Sequence, residues 1–128
     1  MFRPTSAYSG ISVDDVDAAV AFYGGVLGLS VRVLASGQMA QLELPGSDVP
    51  VLVYGKPDHV PATFTVLNFV VDDVDAALDD LAALGVEPTA GGEWADERQV
   101  VRGRERGMGP DIAWFADPAG NVFSVQQQ

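Results

Sequence analysis

The sequence predicts an α+β fold built by internal duplication, and three observations carry that prediction. A seven-residue string occurs twice. Each copy opens a segment with helical apolar spacing, and each such segment is flanked by short stretches with strand character. Val13-Asp14-Asp15-Val16-Asp17-Ala18-Ala19 recurs unchanged as Val71-Asp72-Asp73-Val74-Asp75-Ala76-Ala77. Leu27-Gly28-Leu29 is then answered by Leu84-Gly85-Val86, so the two halves keep register at offsets of 58 and 57 residues. Seven identities followed by a correctly spaced second match mark a repeat, the feature to look for before any local assignment.

Each copy reads as strand, helix, then further strands. In the first, Val16, Ala19, Val20, Tyr23 and Leu27 fall on one face of a helix; in the second, Val74, Ala77, Leu78 and Leu81 do so. The aspartate pairs ahead of these runs are expected to cap the free N–H groups of the first turn. Gly28 and Gly85 are expected to stop the helices, because glycine accepts the left-handed conformation. Strands are expected over about 6–13, 30–35, 38–44 and 50–55 in the first copy, and over 64–71, 111–116 and 121–127 in the second. Asp117-Pro118-Ala119-Gly120-Asn121 is a turn by its chemistry, with Gly120 or Asn121 supplying a positive φ. The glycine- and charge-rich stretch 86–110 should hold one or two irregular strands. One domain over 1–128 follows, with modules 1–57 and 62–128 joined by a linker at 55–62.

With 128 residues, 48% of them hydrophobic, the chain can bury a core without a staple. The absence of cysteine excludes disulfides, thiolate metal sites and a cysteine nucleophile. Met1-Phe2-Arg3-Pro4 leads into no leader pattern, and no apolar run approaches the roughly 20 residues of a membrane span, so a cytoplasmic location without membrane contact is expected. The net charge of −11 repels phosphate backbones and argues against nucleic acid, while it would draw in a cationic small molecule. Arg98, Arg102, Arg104 and Arg106 form a basic cluster. A solvated loop or edge strand is the expectation for it, with a clamp for an anionic ligand as the alternative.

Val13-x-Asp15-Val16-x-x-Ala19-x-x-Phe22-Tyr23 and Val26-Leu27-Gly28-Leu29, together with Asp117-Pro118-Ala119-Gly120-Asn121, resemble the signatures of the vicinal oxygen chelate superfamily. That family includes glyoxalase I, extradiol dioxygenases, fosfomycin-resistance enzymes and bleomycin-binding proteins. The resemblance implies two tandem βαβββ modules whose mixed sheets curl around a cavity, the glyoxalase/bleomycin-resistance fold. In its metal-dependent members, strand histidines and glutamates converge on the ion. The positions the resemblance assigns to three of them hold Tyr8, Val66 and Ser124, and the fourth belongs on 50–55, which offers neither carboxylate nor imidazole. No metal and no cofactor are therefore expected, and glyoxalase or dioxygenase chemistry is disfavoured. His59, the lone histidine, is expected to be a surface residue of the linker without a role.

Strand alternation places Ile11, Val13, Leu67, Phe69, Val71, Phe123 and Val125 against the helices. Their neighbours then present a mixed aromatic and hydrogen-bonding surface. The expected ligand-binding residues are Tyr8, Met39, Gln41, Glu43, Phe64, Asn68, Trp94, Trp114 and Ser124. The favoured reading is a metal-independent binding protein that sequesters a cationic or aromatic small molecule, acting as a homodimer. The alternative is a metal-free lyase or isomerase using Glu43 or Tyr8 as acid or base.

Overall fold

The computed structural model describes all 128 residues and divides into two compact units, Met1–Pro61 and Ala62–Gln128. The first contains β1 (Gly10–Val13), α1 (Val16–Val20), β2 (Ser30–Leu34), β3 (Met39–Glu43) and β4 (Val51–Gly55). The second contains β5 (Thr65–Val70), α2 (Val74–Ala83), β6 (Val101–Arg102), β7 (Asp111–Ala116) and β8 (Val122–Gln127). The strand orders are β1-β4-β3-β2 and β5-β8-β7-β6. In each unit the first and last strands pair in parallel and the remaining pairs are antiparallel. The repeated string has thus produced the same βαβββ topology twice.

The aspartate pairs do what their chemistry predicts, through the second member of each. Asp15 and Asp73 have extended backbones, and their side chains accept hydrogen bonds from Ala18 N and Ala76 N, both at 3.1 Å. Gly28 at φ 75° and Gly85 at φ 81° supply the left-handed residues beyond the helices. The two helices differ between these fixed ends. Residues 74–83 form one regular α-helix, whereas α1 gives way after Val20 to a π-helical turn over Ala21–Val26. The wider turn contains Gly24 and Gly25, weak helix formers, and it carries Tyr23 into full burial. Gly24 faces Val31, whose methyl lies 3.3 Å from where a Cβ would stand.

Each helix covers one face of its own sheet. Ile11, Val13, Ala40, Leu42 and Val53 are buried in the first unit; Leu67, Ala113, Phe115, Phe123 and Val125 are buried in the second. Phe123 stacks on Phe115 at 5.4 Å and meets Phe69 edge-on at 5.7 Å. The predicted strand phase therefore holds in both copies. The turn after β7 is tied by Asp117, whose Oδ1 accepts from Ala119 N and Asn121 N, while Gly120 takes the positive φ. Asn121, itself buried, accepts from Ala62 N at 3.1 Å.

The stretch 86–110 is irregular, as expected. It holds only the two-residue β6, a 3-10 turn over Arg104–Arg106 and an isolated bridge between Ala95 and Val101. Side chains organise it instead. Arg102 makes two parallel bonds to Asp75 of α2, at 2.9 and 2.8 Å, and a third to Asp96. Arg98 reaches Asp75 and Asp79 at 3.0 and 2.6 Å. Arg106 lies 5.1 Å from the Trp94 ring centroid. The basic cluster does occupy an edge strand and its loop; Arg98 and Arg102 are committed to the module's own aspartates, while Arg106 stands against Trp94.

Candidate functional site

The face of each sheet turned away from its helix is where side chains remain open to a ligand. In the first module the rows across that face follow from register. Ser12 stands beside Tyr54 and then Met39; Gly10 stands beside Leu52, Gln41 and Arg32. Tyr54 leans over Gly10, with a ring carbon 3.5 Å from where a Cβ would be. An open groove of about 720 Å³ runs past this corner, lined by Met39, Leu52 and Tyr54, by Lys56 and Pro57, and by Asp14, Asp15 and Asp17. Its floor is apolar and aromatic, and its rim is mainly acidic.

Of the residues singled out from the sequence, Met39, Gln41 and Glu43 do share this face, alternating with buried Ala40 and Leu42. Glu43 lies exposed at the end of β3, opposite Ser30. Tyr8 lies ahead of β1, which begins at Gly10 rather than near residue 6, and it is 69% exposed.

In the second module Asn68, Ser124 and Trp114 form one cross-strand row. Ser124 Oγ donates to Asn68 Oδ1 at 2.7 Å, and Gln126 Nε2 donates to the same oxygen at 3.3 Å. Ser124 is fully buried within this row although it faces away from the apolar core. Trp114 Nε1 donates to Thr65 Oγ1 at 3.2 Å, which fixes the indole on the same face. Phe64 immediately precedes β5 and is exposed. Trp94 is not part of the row: it sits in the irregular segment, exposed, against Arg106.

A divalent ion does not fit the donors these positions provide. Val66 has no donor atom, and the Ser124 hydroxyl already donates to Asn68. β4 reads Val-Leu-Val-Tyr-Gly, and no group of three or more histidine, aspartate or glutamate side chains is placed to hold a metal.

His59 is not the idle surface residue expected. Its Nδ1 lies 2.7 Å from Ser12 Oγ, and both residues are half-buried. Sequence reading missed this pair because the partners are 47 residues apart and no motif links them. It missed Leu52 and Tyr54 for a different reason: β4 was read only for metal donors.

Electrostatic perturbation is concentrated in the arginine network. Hydrogen bonding from Arg102 holds the Asp75 carboxyl below its usual range, against a desolvation penalty that acts the other way. Asp96 is also lowered: burial opposes the shift, and backbone N–H groups and Arg102 outweigh it. Both groups bind Arg102, which ties the irregular segment to α2.

Comparison with known proteins settles the family. The profile of the Glyoxalase/Bleomycin resistance protein/Dioxygenase superfamily matches residues 6–125. The chain belongs to that superfamily. Solved superfamily structures share its fold at low identity. An antibiotic binding protein, TnmS3, from Streptomyces sp. CB03234 is 23% identical, with 98% of each chain covered and a TM-score of 0.64. A lactoylglutathione lyase from Agrobacterium tumefaciens is 22% identical, covering 98% of this chain and 95% of its own, with a TM-score of 0.64. The fosfomycin resistance protein FosX from Listeria monocytogenes is 16% identical, covering 99% and 95%, with a TM-score of 0.68. No curated protein matches the chain. These relatives span binding and catalysis, so superfamily membership by itself chooses neither.

Proposed function

We propose that this superfamily member is a metal-independent small-molecule binding protein that sequesters an antibiotic or a metabolite. The observation that carries the reading is the Asn68–Ser124–Trp114 row. Where the resemblance would put a metal ligand, the second module has a buried hydroxyl bonded to an amide, beside an anchored indole. Exposed Asn68 and the half-buried, anchored indole of Trp114 offer directional hydrogen bonding and stacking, the character of a binding site. The groove of the first module, with Tyr54 on its floor and aspartates on its rim, favours a ligand that is aromatic, cationic or both. The Streptomyces antibiotic binding protein supports sequestration as a use of this fold. Exposed Tyr8 ahead of β1, Phe64 ahead of β5 and Val70 at the end of β5 support a homodimer, which light scattering would show as twice the 13.5 kDa chain mass.

Thermal unfolding with bleomycin and with aromatic antibiotics, each with and without divalent metal, tests the proposal. A ligand at 100 times its dissociation constant should add about 2.7 kcal/mol. The expected result is a rise in Tm with a ligand and none with metal alone. Strong stabilisation by Zn²⁺ or Mn²⁺ alone would overturn metal independence. Product formation abolished by Glu43→Gln or Tyr8→Phe would replace binding with catalysis.

A further inference from the structure

We propose that Ser12 and His59 form a nucleophile–base pair able to take an acyl group from an activated ester, an activity distinct from ligand sequestration. Alternation along β1 turns Ser12 away from the core, because Ile11 and Val13 on either side of it are buried. The chain then brings His59 back to it. Lys56 N donates to Val13 O at 2.9 Å, and His59 N donates to Lys56 O at 3.0 Å, so the linker turns tightly at the end of β1. The imidazole arrives with Nδ1 at 2.7 Å from Ser12 Oγ. A serine hydroxyl is a weak nucleophile until a neighbouring base takes its proton, and this separation is the one that transfer requires. With the ring proton on Nε2, Nδ1 accepts the hydroxyl's hydrogen bond.

The step follows directly. Ser12 Oγ attacks the ester carbonyl carbon as its proton passes to His59 Nδ1; the Oγ–acyl bond forms, the carbonyl–oxygen bond to the leaving group breaks, and the alkoxide or phenoxide departs. Once the imidazolium has released that proton through solvent to the departed anion, water attacks the acyl-serine; neutral His59 Nδ1 accepts the water's proton and returns it to Ser12 Oγ as the acyl–Oγ bond breaks. The net reaction is ester plus water to acid plus alcohol. Asp58, the adjacent carboxylate, is held by Lys56 Nζ at 2.6 Å. The pair suits esters whose leaving group departs as a stabilised anion, aryl esters above all, because such a group needs no proton in the step that expels it. Tyr54, the register neighbour of Ser12, provides a flat apolar surface for the aryl ring.

Full-length protein treated with p-nitrophenyl acetate provides the test. The expected result is release of p-nitrophenolate with one acetyl group on the peptide that carries Ser12. Ser12→Ala should abolish that adduct, and His59→Gln should slow its formation by about 100-fold. Ser12→Cys should restore acylation, which separates loss of the nucleophile from loss of fold. Acetyl groups found only on lysines, tyrosines or the N-terminus, or wild-type acylation of Ser12 in His59→Gln, would overturn the proposal. Neither result depends on whether an antibiotic binds.

Discussion

At the scale of single residues, side chains that bond to the backbone hold the turns in place. Asp117 is the clearest case. It is buried, and one carboxylate oxygen receives both Ala119 N and Asn121 N, at 3.0 and 2.9 Å. Removing it strands two N–H groups in a place water does not easily reach. Asp117→Ala is therefore expected to cost about 2 kcal/mol, measured by urea unfolding. Asp117→Asn keeps the acceptor and should lose less. The turn and the capping aspartates were legible in the sequence, because capping and turn chemistry act over two to four residues; the buried Asp117 acceptor was not singled out. Ser12 and His59 were not, because the contact depends on how a linker turns back on a strand. A single histidine carries no local signal of its partner.

At the scale of elements, the repeat foretold more of the helices and strands than of the segment between α2 and β7. Alternation along β1, β5 and β8 gave the buried face correctly, because one face of each sheet packs on a helix and period two leaves no choice. The π-helical turn after α1 was hidden because its apolar spacing also satisfies an α-helix; Gly24 and Gly25 were its only trace. The segment 86–110 has no periodicity because arginine–aspartate bonds and close backbone approaches shape it. Gly103 makes one such approach: a Cβ there would lie 2.5 Å from Pro110 O and 3.0 Å from Gly109 O. Neither neighbour is a flexible side chain, so the backbone must move. Gly103→Ala is expected to destabilise by about 1–3 kcal/mol, while Gly25→Ala, with open space around it, should be tolerated. Calorimetry of the two variants checks the contrast.

At the scale of the whole molecule, a net charge of −11 makes the arginine network a local exception in an acidic chain. Asp75 and Asp96 have folded-state pKa values below their unfolded ones. Their contribution to stability is present above the unfolded value, about 3.9, and is lost as pH falls through the lowered folded values. Both are partly exposed, so each pair contributes at most about 1 kcal/mol. Acid should therefore lower Tm below about pH 4, and Asp75→Asn should flatten that decline while lowering Tm at pH 7. A Tm–pH series on both proteins reads the difference. Fold class and duplication were visible at this scale because composition and repetition belong to the whole chain. The composition of the open face was only partly visible, since it mixes residues from strands far apart in sequence.

Parallel pairing of the first and last strands in each unit dictates when assembly can finish during synthesis. β1 waits for β4, so the first unit can close once residue 55 has left the ribosome. β5 waits for β8, an interior strand formed by Val122–Gln127. A chain cut after Asn121 would leave β5 and β7 each without the neighbour they share. The second unit therefore stays open until Val122–Gln127 is made, and its apolar strands are exposed to chaperones and proteases until then.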